Sequence, residues 1–172
     1  MAFTYSKLAE VTVGSGGSAT IVFNNIPQNY NDLILKVSAR AITDTQSAPV
    51  LLNINGNTSL LTSRRILGTG GSVVSQSGSG NSGAGGILGN GSDFTANTFG
   101  NGEVYIPNYS GNNPKSISID STNENNATGS YTSLAAVLWN SVTAITTITL
   151  TQEVGSMAQH STATLYGVKA EV

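Results

Sequence analysis

At 172 residues, with seven Lys and Arg against nine Asp and Glu, the chain carries a net charge of −2, and only 9% of its side chains are charged. Ordinary globular proteins carry roughly 25%, so the surface is predicted to be neutral and polar; Ser, Thr, Asn and Gly fill 80 positions. This excludes the basic footprint of a nucleic-acid partner, the lack of cysteine excludes disulfides and thiolate zinc sites, and no apolar run nears the roughly 20 residues that cross a bilayer.

In chain order, the opening MAFTYSKLAE lacks the basic and then apolar pattern of a signal peptide, so no standard export is expected. SATIVF places Ala19, Ile21 and Phe23 on one face of a strand. DLILKVSARA alternates more clearly, with Leu33, Leu35, Val37 and Ala39 inward and Lys36, Ser38 and Arg40 outward. VLLNINGN reads as a strand entering an Asn55-Gly56 turn, a favoured hairpin dipeptide, with LLTSRRIL as the returning strand.

The stretch GTGGSVVSQSGSGNSGAGGILGNGS, residues 68–92, holds ten glycines. A phosphate loop would need a closing Gly-Lys-Ser/Thr, and no lysine lies between Lys36 and Lys115. An interdomain linker is also excluded, because the strands on either side are too few for two sandwiches. What remains is a long loop insertion, 68–102, flexible by composition and held by Val73, Val74, Ile87 and Leu88 against a neighbouring subunit rather than by regular pairing.

Beyond it come EVYIP, KSISIDS, TSLAAVLWN, ITTITLT and STATLYGVKA, all with strand periodicity and no amphipathic helix among them. TSLAAVLWN is apolar on both faces: Leu134, Ala136 and Leu138 on one, Ala135, Val137 and Trp139 on the other. Such a strand is either covered on both sides by its own chain or packed on a second subunit. Leu134, Ala135, Val137 and Trp139 are therefore candidate interface residues, together with the four anchors of the glycine-rich stretch. Eight or nine short strands separated by Gly, Asn and Pro signals predict one all-β domain, 1–172, an antiparallel β-sandwich of jelly-roll type.

Chemistry-bearing residues are sparse. His160 is the single histidine, and adjacency to one of 22 serines carries no triad signal. DSTNENN gathers Asp120 and Glu124 among asparagines, but the spacing is not that of an EF-hand, and an Asx-rich turn accounts for it better. Nothing fixes the separation of those two carboxylates as a glycosidase pair would require. Four N-x-S/T sequons, at Asn57, Asn90, Asn108 and Asn126, are expected by chance in so Asn-, Ser- and Thr-rich a chain. Tyr30, Tyr105, Tyr109, Tyr131, Tyr166 and Trp139 could stack on sugar rings, although Trp139 suits a core or interface anchor better. The reading is a non-enzymatic protein without catalytic, metal or cofactor residues.

FNNIPQNYNDLILKVSARA, EVYIPNYSGNNPKSISIDSTNEN, LAAVLWNSVTAITTITLTQ and STATLYGVK together make the chain resemble small structural proteins of tailed bacteriophages, particularly those of aquatic hosts. These are strand-and-turn blocks covering most of the chain outside the glycine-rich stretch, and no site residue is carried over with them. The resemblance implies a virion protein assembled in the host cytoplasm, either a head decoration (cement) protein or a tail piece. The first role implies self-association, expected as a closed trimer, and seating on the major capsid protein; the second implies a host-surface carbohydrate as ligand. The absence of a coiled-coil stalk or anchoring segment favours decoration.

Overall fold

The computed structural model describes residues 3–43, 48–80, 86–126 and 129–170. Eleven strands run through them: β1 (Phe3–Thr12), β2 (Thr20–Phe23), β3 (Asp32–Ala39), β4 (Val50–Ile54), β5 (Leu61–Gly68), β6 (Val73–Ser79), β7 (Gly100–Ile106), β8 (Lys115–Glu124), β9 (Ser130–Trp139), β10 (Ile148–Gln152) and β11 (Thr162–Ala170). Eight of them form one sheet in the order β1-β11-β3-β7-β8-β9-β5-β6, and three form a second in the order β2-β10-β4. Every strand pairing is antiparallel. The chain is thus all-β and consistent with the expected sandwich. No helix among the described residues is long and apolar enough to cross a membrane.

The alternation in sequence becomes alternation in burial. β8 buries Lys115, Ile117, Ile119, Ser121 and Asn123 and exposes the residues between; β9 buries Ser133, Ala135, Val137 and Trp139. One apolar cluster joins the two layers, with Leu33, Leu35, Val104 and Ile119 from the large sheet and Ile21, Leu52, Ile148 and Leu150 from the small one. Sheet-on-sheet contact buries these side chains, and burial at roughly 25 cal/mol per Å² of apolar surface is the main stabilising term.

Nine of the eleven strands carry the period-2 signal, and the two that do not, β1 and β6, are the edges of the large sheet. An edge strand has one neighbour and partial burial, so selection for alternation is weak there. β6, VVSQSGS, is exposed along almost its whole length. β1 shifts register between Lys7 and Ala9, which breaks whatever alternation it has.

The Asn55-Gly56 turn forms, with positive φ at both residues (51° and 70°) and the Asn57 amide donating to the Ile54 carbonyl at 3.0 Å. The expected hairpin does not. β4 pairs with β10 in the small sheet, whereas β5 pairs with β9 and β6 in the large one. The turn is a corner between layers, pinned by Asn55: its Oδ1 accepts from the amides of Thr146 and Thr147, both at 3.0 Å, and its Nδ2 donates to Ala144 O at 2.8 Å. A dipeptide sets local chain reversal; which sheet the next strand enters is set by long-range burial.

The glycine-rich stretch departs most from expectation. Residues 69–72 are the β5–β6 turn, with the Thr69 amide donating to Ser72 O at 2.9 Å. β6 then pairs in continuous register with β5, from Gly68↔Val73 to Thr62↔Ser79, so regular pairing does hold Val73 and Val74. Shortening the chain between Ser75 and Gly85 would remove most of a strand; residues 81–85 lie outside the described residues. Gly86–Gly91 is buried throughout. Ile87 and Val50 exchange backbone bonds at 3.0 and 2.8 Å, and Gly89 and Ala48 do the same at 3.2 and 3.1 Å, which adds a rung beside β4. The 68–102 segment is therefore part hairpin and part core, not a loop insertion.

Two glycines of β7 admit that rung. A Cβ on Gly102 would overlap the Ile87 side chain, and one on Gly100 would sit 2.5 Å from Leu88 O and 3.0 Å from Gly89 Cα. The Gly100 neighbours are backbone atoms and have little room to move. Gly100→Ala is expected to lower unfolding free energy by about 1–3 kcal/mol, read from the urea midpoint at unchanged slope.

The Asx-rich turn expected at DSTNENN forms only at its end, where Asn125 Oδ1 accepts from the Gly129 amide at 3.0 Å and Glu124 Oε1 from the Asn126 amide at 2.6 Å; β8 continues to Glu124, and Asn123 points inward, its Nδ2 donating to Gly89 O at 2.9 Å. That inward amide is another clamp on the buried rung.

Candidate interaction surface

With one face of the large sheet given to the core, its other face is the extended surface of the molecule. The antiparallel register lays out that face in rows. One runs Thr164, Lys36, Glu103, Asp120, Leu134, Ile66 and Ser75 across seven consecutive strands. The adjacent row runs Lys7, Tyr166, Ile34, Tyr105, Ser118, Ala136, Arg64 and Ser77. Each side chain lies about 4.8 Å from its neighbour across strands and about 7 Å from the next row.

The two halves of this face differ in chemistry. Over β11, β3 and β7 it is polar, with a groove of about 460 Å³ lined by Lys36, Ser38, Asn101, Glu103, Thr162 and Thr164. Lys36 and Glu103 form an exposed ion pair across its floor, worth little in stability at such exposure. Tyr166 and Tyr105 flank the groove one row away, both directly opposite Ile34. Tyr105 Oη donates to Asp32 Oδ2 at 2.9 Å, and the Asn108 amide donates to Asp32 Oδ1 at 2.9 Å. Desolvation, with the Asp32 contact behind it, raises the Tyr105 pKa above its ordinary value of 10.0.

Over β9, β5 and β6 the same face turns apolar. Leu134 and Ile66 are directly opposed and 58% and 56% exposed; Leu138 is 41% and Val73 74% exposed. Ala136 lies between the two leucines along β9 and completes a continuous strip. Single exposed leucines need no explanation, whereas a contiguous group does.

This sorts the residues singled out from the sequence. Of the β9 candidates only Leu134 faces outward; Ala135, Val137 and Trp139 are inside the chain's own core, at 1–4% exposure. The strand apolar on both faces is thus covered on one face by its own chain and uncovered on the other. Ile87 and Leu88 are fully buried within the chain and cannot anchor a docking loop, while Val73 and Val74 remain at the surface. The strip also includes Ile66 and Leu138, which sequence reasoning did not single out; Leu138 shares the parity of Leu134 and was findable, whereas Ile66 depends on β5 lying beside β9.

Among the aromatics singled out from the sequence, Trp139 and Tyr109 are buried, Tyr30 and Tyr131 are half-buried, and Tyr105 and Tyr166 lie beside the groove. His160 sits on an exposed turn with φ of 72° and its amide bonded to Val13 O at 3.0 Å. Asp120 and Glu124 are four residues apart on one strand, so about 13 Å of backbone separates them, too far to share one calcium ion. No group of three or more His, Cys, Asp or Glu that could hold a metal occurs among the described residues.

The two edges of the sheet are unequal. β1 carries a bulge and the Lys7–Glu10 ion pair at 2.9 Å, both of which discourage edge-to-edge pairing. β6 has no charge and no proline, and among the described residues no strand lies on its far side. The apolar strip therefore runs out to an unguarded edge.

Arg40 fixes the far end of the face. Its guanidinium donates to four carbonyls, Ser92 and Phe94 through Nη2 at 3.1 and 3.0 Å, Thr95 and Thr98 through Nη1 at 3.0 Å each. A planar fork can bridge a turn in this way where a lysine point charge cannot. Arg40→Ala is expected to cost about 2 kcal/mol and to raise amide exchange selectively over 92–98, with Arg40→Lys recovering little of either.

An all-β, two-sheet protein with one chemically divided outer face is what fold and surface define. No protein-family model, no curated protein and no solved structure matches the chain.

Proposed function

We propose that the protein is a non-enzymatic structural component of a bacteriophage virion, a head decoration protein that self-associates and seats on the outer face of the shell built by the major capsid protein. The observation that carries self-association is the exposed strip of Leu134, Ile66, Leu138 and Val73, running to the unguarded β6 edge on an otherwise neutral polar surface. A low net charge supports the same reading, since copies packed at high local density repel one another less. The virion assignment rests on the strand-and-turn blocks that resemble small phage structural proteins. Quantitative mass spectrometry of purified particles tests it: a decoration protein is present in fixed, high proportion to the capsid protein. Absence from the particle, or only a few copies, refutes it.

One observation favours a second reading, a tail module that binds host-surface carbohydrate. The polar groove beside Tyr105 and Tyr166 offers hydroxyl, amide and carboxylate partners next to aromatic rings, the combination on which sugars are held. Glycan-array binding that is lost in Tyr105→Ala, with few copies per particle, would favour this role over decoration.

A further inference from the structure

Deepening the self-association reading, and resting on it, we propose that two copies pack face to face through the apolar strip about a two-fold axis running along β9, with Arg64 of each copy reaching Asp120 of the other. Two charges lie on either side of β9. Arg64 on β5 lies one strand to one side of β9, opposite Ala136. Asp120 on β8 lies one strand to the other side, opposite Leu134. Neither belongs to an ion pair among the described residues, where the pairs are Lys7–Glu10 and Lys36–Glu103. Among the described residues, the Arg64 guanidinium donates to the carbonyl of its own neighbour Ser63, at 2.8 Å.

Asp120, moreover, has a second carboxylate as its neighbour across the strands. It stands directly across from Glu103 on the exposed face, and like charges opposed across strands are destabilising. Within the chain Lys36 pairs with Glu103, which leaves Asp120 as the carboxylate open to a cation from the second copy.

Rotation about an axis along β9 exchanges the β5 side of one copy with the β8 side of the other. Leu134, Ala136 and Leu138 then meet their own counterparts on the axis, and Arg64 comes within one row of Asp120 of the second copy, twice per dimer. The β9 centre is apolar, with Ile66 and Arg64 on its β5 side and Asp120 on its β8 side, so the second copy's Asp120 comes over Ile66, one row from Arg64, as the register of an isologous contact requires. A shallow depression beside the strip, lined by Thr62, Arg64, Ser116 and Leu138, gives room for the facing leucines. A threefold ring, which must join two different patches, makes no use of this arrangement.

Sedimentation and light scattering of the wild type, R64E, D120R and L134D proteins test the proposal, with circular dichroism confirming that each is folded. The wild type is expected to dimerise, L134D to remain monomeric, and each charge reversal to weaken association about tenfold or more. The deciding sample is an equimolar mixture of R64E and D120R. Each homodimer holds two repulsive contacts, whereas the mixed dimer holds two attractive ones, so mixing restores association to near the wild-type level. Association of the wild type with no restoration in the mixture overturns the paired-charge geometry and leaves self-association standing. Association untouched by all three substitutions, or a threefold assembly, moves the contact elsewhere, with the β6 edge next in line, and equally overturns it. A wild type that stays monomeric at high concentration removes the self-association reading itself.

Discussion

Replacing Ile87 by alanine is expected to lower the unfolding free energy by about 2–4 kcal/mol, the range of a buried isoleucine truncation that leaves a cavity. Ile87 is fully buried, exchanges backbone bonds with Val50 and occupies the space that Gly102 leaves open on β7. Truncation leaves those backbone bonds in place and removes only packing between the layers, so the loss should appear as a shifted urea midpoint at unchanged slope. Val73→Ala is the internal control: Val73 is 74% exposed, and its truncation is expected to change stability by no more than about 0.5 kcal/mol. Equal, small effects at both positions would restore the glycine-rich stretch to a surface role. The contrast matters because composition treats the two residues alike, as apolar anchors in one glycine-rich segment.

Lys115→Ala is expected to cost about 2–4 kcal/mol, an effect of core size from a residue type normally at the surface. Lys115 is 1% exposed, at the inward-facing start of β8. Its Nζ donates to Gly111 O at 2.6 Å and Thr143 O at 2.7 Å and stands 5.3 Å from the centre of the Trp139 ring. The ammonium thus ties the β7–β8 loop to the β9–β10 loop over the tryptophan face. Removing it leaves two carbonyls without their partner and a void beside Trp139. Lys115→Met keeps the stem and should recover roughly half of the loss.

The same burial gives the residue a pH signature. Desolvation lowers the Lys115 pKa below its ordinary 10.5. Between the lowered folded value and 10.5 the unfolded chain binds more protons than the folded one, so stability rises with pH through that window. Tyr109 and Tyr105 act in the opposite sense: desolvation raises their pKa values above 10.0, so stability falls once unfolded tyrosines ionise. Lys115 therefore adds a climb in stability that ends at pH 10.5, and the two tyrosines add a drop that begins near pH 10, joined above 10.5 by Lys7, whose pKa Glu10 raises. Denaturant unfolding from pH 8 to 11 should show the climb flattened in Lys115→Met and the drop retained.

Alternation, turn residues and composition were sufficient to place nine strands and exclude a helical fold, because each is a local property. DLILKVSA and KSISI carry their inward and outward faces in their own order, and Asn55-Gly56 reverses the chain wherever it stands. Neighbours across the sheet are a different matter. β5 turns to β9 rather than to β4, and only that choice sets Ile66 against Leu134 and puts Arg64 and Asp120 on either side of one strand. Glycine-rich composition reads as flexibility, yet Gly86–Gly91 is core, because Gly100 and Gly102, on a later strand, lack the side chains that would exclude it. The edge strands β1 and β6 carry no pattern to read, since a strand with one neighbour and a solvated face is held by its partner's backbone. Local sequence determined which residues could face a core; the tertiary packing of two sheets decided which of them do, and which were left exposed at the surface.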